Sequence, residues 1–309
     1  MNKIIITGAT GFIGVAITKE LLSQGDEVWA VIRPDTKKRG RLPINDNLHI
    51  VSTTLDELPQ YVKNNGISAD IFFHLAWNGS AGAMREDFSV QAKNIEYVKN
   101  ALQAAKVCSC RKFVGAGSQA EYGVVHGKAT EETQPNPFMM YGAAKVAACN
   151  MGRVLAAQLG IDFVWPRIYS VYGAGENDGT LLSYLVQTLK EGKTPELSPC
   201  ENMWNFLYID DCAKILATLG KTSTASGIYN VASGDTRLLK DFVNEARDII
   251  APGAKIDFGA RASNPARTFW LEPDIGKLTK IYKLRFMTFA EGIKLKLADI
   301  HRDVYGASK

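Results

Sequence analysis

Cysteine is sparse in this chain of 309 residues, and its spacing suits neither of its usual structural roles. The five are Cys108, Cys110, Cys149, Cys200 and Cys212. The count is odd and the one close pair is C-S-C, which gives neither a disulfide framework nor a C-x-x-C zinc spacing. Reduced thiols of this kind fit a cytoplasmic protein. Histidine is sparser still. His49, His74, His126 and His301 are scattered and H-E-x-x-H is missing, so no metal site is expected. No apolar run reaches the roughly 20 residues that span a membrane. The opening MNKIIITGATGFIG has one lysine and no apolar stretch ending in a small-residue cleavage site. Neither a membrane segment nor a secretory signal is therefore expected. A strong excess of one charge is also lacking. The formal net charge is +4 and the pI about 8.7, which leans weakly toward anionic small molecules and argues against nucleic acid.

What is present is ordinary globular material, 46% hydrophobic and 22% charged. That is enough for one large domain or two intimate ones. The first half alternates apolar runs with amphipathic stretches. KIIIT (3–7), EVWAVI (27–32), LHIVST (48–53), DIFFHLAW (70–77), KFVGAGS (112–118) and DFVWPRIYSVYG (162–173) read as strands. VAITKELLSQG (15–25), KNIEYVKNALQAAKV (93–107) and YGAAKVAACNMGRVLAAQLG (141–160) read as helices, the last stopped by Gly160. This alternation predicts an α/β fold, a Rossmann-type doubly wound parallel sheet with right-handed crossovers. A smaller, mixed C-terminal lobe follows. The expected division is 1–165 plus about 206–233 for dinucleotide binding, and about 166–205 plus 234–309 for the substrate lobe. In such sheets ligands bind at the carboxyl ends of the strands.

TGATGFIG, Thr7 to Gly14, follows the first strand and opens a helix. Gly8, Gly11 and Gly14 let backbone N–H groups approach a pyrophosphate, and the helix N-terminus favours negative charge. A tight turn without ligand is the alternative. The acid that holds the adenosine ribose in NAD sites is expected at the end of the second strand. Ile32 stands there, and Arg33 follows, with Lys37, Lys38, Arg39 and Arg41 close behind. A guanidinium suits a 2′-phosphate, so NADP(H) is preferred. NAD(H) stays possible, since Asp35 could reach the ribose, and a solvated basic loop is the blander reading.

PFMMYGAAK puts Tyr141 and Lys145 four apart, on one helix face. An ammonium beside a phenol favours the phenolate. Ser118 ends the fifth strand, where its hydroxyl could bond a substrate oxygen while Tyr141 passes the proton. The glycine loop, HLAW (74–77), Asn94, GSQAEYG (117–123), YGAAK (141–145), PRIYSVYG (166–173), FLYIDD (206–211) and YNVASG (229–234) stand in an order that resembles the extended short-chain dehydrogenase/reductase superfamily. Within it, the resemblance is to the NAD(P)-dependent nucleotide-sugar epimerases, dehydratases and reductases. It covers nearly the whole chain. It implies Ser118, Tyr141 and Lys145 as the catalytic trio and Gly8, Gly11, Phe12, Ile13 and Gly14 as the pyrophosphate cradle. It also implies Leu55 near the adenine, Leu75, Ala76 and Trp77 along the cofactor, and a homodimer paired through helices 93–107 and 143–158. Asn94 reads as a buried amide bracing the sheet.

The departures narrow the chemistry. Family dehydratases carry an Asp-Glu pair after the catalytic hydroxyl, and the matching positions here are Gln119 and Ala120. Neither can serve as a general acid or base, which argues against dehydration. Glu121, by strand alternation, points away from Ala120's side and reads as structural. In the lobe, Ser170 stands where epimerases often have an Asn. Trp204 could pack on a base or sugar, or simply join the lobes. Arg267 could pair with the diphosphate, or be a surface arginine. With Ser118 and Gln119 these make the expected substrate site. The reading that follows is an NADPH-dependent reductase of an NDP-4-keto-6-deoxyhexose. The alternatives are an NDP-sugar 4-epimerase with tightly held NAD and, last, a non-catalytic dinucleotide sensor.

Overall fold

The computed structural model describes residues 1–177, 179–263, 270–283 and 285–306. In the first half each apolar run forms a strand. The order is β1 (Lys3–Thr7), α1 (Phe12–Ser23), β2 (Glu27–Ile32), β3 (Leu48–Ser52), α2 (Leu58–Asn64), β4 (Ile71–His74), α3 (Phe88–Val107), β5 (Lys112–Gly115), β6 (Gly117–Ser118), α4 (Met140–Leu159) and β7 (Asp162–Ile168). The second half runs β8 (Ser170–Tyr172), α5 (Leu181–Lys190), β9 (Glu196–Leu197), β10 (Met203–Tyr208), α6 (Ile209–Lys221), β11 (Gly227–Val231), β12 (Thr236–Leu238), α7 (Leu239–Ile250), β13 (Asp257–Phe258), α8 (Gly276–Thr279) and α9 (Phe289–Gly306).

The main sheet has the order β3-β2-β1-β4-β5-β7-β11, with β6 beside β7, and every pairing in it is parallel. The chain winds outward from β1 to one edge and then returns through β4 to the other. That reversal between β1 and β4 opens a crevice at the strands' carboxyl ends. Strand alternation sorts the core. Ile4 and Ile6 pack with Ile17 and Leu21 of α1 and Ile215 and Leu219 of α6, while Ile5 faces Val98 and Leu102 of α3 and Ala148 of α4. On that second face, Phe72, Phe113, Phe163 and Trp165 stack in line across β4, β5 and β7, with centroids 5.6, 5.9 and 5.7 Å apart. Gly160 ends α4 in the left-handed conformation, φ +70°, as the sequence predicts.

Three expectations needed revision. The strand expected over 112–118 breaks after Gly115 and resumes as β6, placing Ser118 opposite Ile168 of β7. The strand over 162–173 stays in the main sheet to Ile168 and then turns off as β8, so a boundary at 165 cuts through it. Residues 206–208 lie in β10, which pairs with β8 and β12 in a separate three-stranded sheet. From the second half, α6, packed on α1, and β11, paired with β7, return to the first half, and Leu278 and Tyr282 join its core. Around β10 a third core gathers Tyr172, Leu185, Tyr208, Phe242, Phe289 and Ile293.

Candidate active site

The glycine loop is built for close approach. Gly8 has φ +73°, and a Cβ there would lie 2.6 Å from the backbone nitrogen of Ala76. A Cβ on Gly14 would meet the Gly8 carbonyl oxygen at 2.1 Å. Gly11 caps α1 without a side chain, and the first turn of that helix carries no acidic residue. Its leading N–H groups are thus left to an external anion. Phe12 and Ile13, half-buried, hold the turn against the cores behind it. Arg41, outside the expected set, donates to the Thr10 carbonyl at 3.3 Å and the Gly175 carbonyl at 2.8 Å, tying this loop to the segment after β8.

Ser118, Tyr141 and Lys145 converge at the carboxyl edge of the sheet and are only 8%, 9% and 3% exposed. Tyr141 and Lys145 lie one turn apart on α4, and Ser118 ends β6. The Ser118 N–H donates to Glu121 Oε1 at 2.9 Å, and its hydroxyl accepts from the Ala120 N–H at 3.2 Å, which caps the 3-10 turn Gln119–Glu121. Lys145 Nζ donates to the Ala116 carbonyl at 2.6 Å and lies 3.5 Å over the Trp77 ring. It stands 5.7 Å from the centroid of the Tyr141 ring. Burial pushes the Tyr141 phenol above its ordinary value; a hydrogen bond with Ser118 and the charge of Arg85 oppose this, and Glu121 adds to it. Burial pulls Lys145 down to about 7, against the pull of Glu121. His74, also buried, is drawn down to about 3 by desolvation and then by Lys145, so it stays neutral, with Nδ1 2.8 Å from the Thr7 hydroxyl.

Glu121 is structural, but not by strand alternation. It sits in the 3-10 turn and points into the core. There Oε2 accepts from Arg167 Nε at 2.8 Å, and Oε1 accepts from Trp165 Nε1 at 2.9 Å. Asn94 braces the loop after β4 rather than the sheet: its oxygen accepts from the Asn78 N–H, and its amide donates to the Asn78 and Val90 carbonyls. Leu75 and Trp77 follow β4 in that loop, packed against opposite faces of the sheet core, with Ala76 between them. Leu55 packs on the α3 side. Arg33 is exposed and lines a cleft of about 490 Å³ with Asn78, Met84, Ser89 and Lys93.

The expected substrate residues are more scattered. Gln119 Oε1 is buried beside Ser118 with no partner among the described residues. Ser170, half-buried, pairs in register with Phe206. Trp204 packs against two clusters, one of the lobe and one around Tyr122 and Tyr169, and so joins them; its indole N–H is buried without a partner among the described residues. Arg267 lies outside the described residues. Among the described residues there is no cluster of three or more metal-ligating side chains, and no helix long and apolar enough to cross a membrane. Arg85 and Gln91 were missed in the sequence, because they lie in and beside a loop without periodicity.

A doubly wound parallel sheet, a glycine cradle at its first crossover and a buried Ser, Tyr and Lys at its carboxyl edge together define a short-chain-type dinucleotide-dependent enzyme fold. A model of the NAD dependent epimerase/dehydratase family matches residues 4–232, and the chain belongs to that family. It is similar to YtcB of Bacillus subtilis (strain 168), described as an uncharacterized UDP-glucose epimerase, with 28% identity over 90% of this chain and 91% of the relative. It shares its fold with the UDP-N-acetylglucosamine 4-epimerase of Methanobrevibacter ruminantium M1 (TM-score 0.87, 21% identity, 98% of this chain and 99% of the other). The UDP-glucuronic acid 4-epimerase of Bacillus cereus, solved with NAD, is likewise similar (TM-score 0.82, 22% identity, 99% and 98%).

Proposed function

We propose that this chain is a nucleotide-sugar 4-epimerase that keeps NAD bound through its cycle. The reading rests first on one observation: Ser118, Tyr141 and Lys145 meet beside the glycine cradle while Gln119 and Ala120 offer no acid or base. Reversible redox at a sugar hydroxyl needs the trio, and dehydration needs the missing pair. The epimerases among the similar proteins move the preference from the keto-reductase expected on sequence to this alternative.

The cradle fits NAD, since α1 opens on Gly11 with no capping side chain and no acidic residue in its first turn, which leaves its N–H groups for a pyrophosphate. When bound, NAD would supply a reversible hydride acceptor for C4 of the sugar, and the 4-keto sugar must turn over in the cleft before the hydride returns to its opposite face. Tyr141 takes the proton of the 4-hydroxyl and later gives it back. Ser118 would hold that oxygen in hydrogen-bonding range, and Lys145 would hold the nicotinamide ribose. Leu75, Ala76 and Trp77 would line the ring end, and Leu55 the adenine end. The nucleoside diphosphate is assigned to Ser170 and Trp204, with Gln119 near the hexose, and Arg267 keeps the diphosphate-pairing role expected from the sequence. Pairing of two chains through α3 and α4 would cover Met151 and Val154, which are 62% and 51% exposed. Five free, buried cysteines suit a reducing cytoplasm.

A second reading, NADPH-dependent reduction of a keto sugar, is favoured by Arg33 and Lys93 lining one cleft where a 2′-phosphate could sit. Denaturing the purified protein and identifying the released nucleotide separates the two. The epimerase reading expects about one NAD per chain. Release of NADP, or an empty site with turnover only on added NADPH, would contradict it.

A further inference from the structure

We propose that Arg85 is a positioning residue for the proton carrier: its guanidinium, laid over the Tyr141 ring, favours the phenolate and fixes the pose of the phenol. This rests on the reading of Tyr141 given above. The guanidinium carbon lies 4.3 Å from the centroid of the Tyr141 ring, and the Trp77 ring meets Tyr141 edge-on, with centroids 6.0 Å apart at 81°. Lys145 is farther from the phenol ring, at 5.7 Å, and its closest ring is Trp77 at 3.5 Å. The cation nearest the Tyr141 ring is therefore an arginine delivered by another element.

That delivery is built into the loop between β4 and α3. Asn94 clamps Asn78 at its start. Gln91 donates to the Gly79 and Met84 carbonyls at 2.9 and 2.8 Å and accepts from the Trp77 indole at 3.0 Å. Gly79 takes φ +67°, and a Cβ there would come within 2.8 Å of both Gln91 and the Met84 carbonyl. Arg85 Nη1 donates to the Ser80 carbonyl at 2.9 Å. Glu86 accepts from the Met140 N–H at 3.2 Å. Consecutive loop residues thus touch consecutive residues of the first turn of α4, Glu86 on Met140 and Arg85 on Tyr141.

The placement carries a cost as well as these contacts. Arg85 Nε is buried with no partner among the described residues, an arrangement that costs stability. Electrostatics explains the placement. Burial pulls Lys145 toward its neutral form, whereas a guanidinium stays charged. A cation over an aromatic face is attracted to it, and a positive charge near a phenol favours its ionised form. The groups acting on Tyr141 are Ser118 from β6, Arg85 from the loop, Lys145 from its own helix and, in opposition, Glu121 from the 3-10 turn.

The test is the phenolate titration of Tyr141, read as the ultraviolet difference between each protein and its Tyr141→Phe counterpart. Arg85→Gln and Arg85→Met remove the charge; Arg85→Lys keeps it. Either charge-removing variant is expected to raise the midpoint by about one pH unit, leaving about tenfold less phenolate at neutral pH. Arg85→Lys should move it less. With a UDP-sugar substrate, kcat should fall by a similar factor at pH 7 and recover at higher pH, with KM little changed. Midpoints that coincide with the parent in a folded charge-removing variant, or a kcat loss equal at every pH, overturn the proposal. A shifted midpoint in a protein that turns over no nucleotide sugar would instead count against the epimerase reading and leave the Arg85 contact standing.

Discussion

At the proposed reaction end of the cleft, Ser118, Tyr141 and Lys145 are buried, and each is fixed by contacts from a separate segment. At the lobe end, Ser170 and Trp204 are half-buried, and the Trp204 indole N–H faces no partner among the described residues. The first end is an extension of the sheet core; the second is a surface between two hydrophobic clusters. A preorganised, desolvated end suits a proton and hydride step, where small displacements are costly. A looser aromatic end suits recognition of whatever base and sugar the chain uses. Substitutions at the first end should therefore act on turnover or on folding, and those at the second on affinity.

The largest effect is expected from Tyr141→Phe. It should lower kcat by about 10²–10⁴-fold while the protein retains its cofactor. Steady-state rates and nucleotide content together check this; loss of the cofactor would blur the contrast. Next comes Glu121→Ala, which leaves the buried Arg167 without its carboxylate and frees the Ser118 N–H. It should destabilise the chain by about 3–5 kcal/mol, read from a denaturant midpoint at unchanged m-value. A cost below ~1 kcal/mol would mean that the ion pair does not brace the site.

Trp204→Ala is expected to raise KM about tenfold with kcat nearly unchanged. A collapse of kcat instead would erase the difference between the two ends. A further effect concerns pH. Burial holds Lys145 at about 7 in the folded chain against 10.5 for an ordinary lysine, so the unfolded chain binds this proton more tightly. Its contribution to stability is complete above 10.5 and is lost as pH falls toward about 7. Stability across that window should therefore rise less steeply with pH in Lys145→Met than in the parent.

The parallel sheet was legible because its strands are buried on both faces and read as continuous apolar runs, as in KIIIT and EVWAVI. The nearness of Tyr141 to Lys145 was legible because helical spacing puts them on one face, while the role expected of them with Ser118 came from the family resemblance. The sheet that a strand joins was not legible: FLY at 206–208 is as apolar as its neighbours, yet it pairs with Ser170–Tyr172 of β8, outside the main sheet. Glu121 was assigned a structural role on the wrong geometry, since the chain turns after Ser118 and the alternation of a strand no longer applies. Arg85 was not legible at all. Its position over Tyr141 depends on Gln91 and Asn94 holding a loop, and long-range side-chain bonds leave no period in a sequence.

The most direct measurement incubates the purified protein, with no added cofactor, with a UDP-hexose and follows the sugar protons by NMR. The account predicts inversion at C4 to an equilibrium mixture, with no accumulation of reduced nucleotide, abolished in Tyr141→Phe. Turnover that requires added NADPH and consumes it one for one with a keto sugar would contradict it.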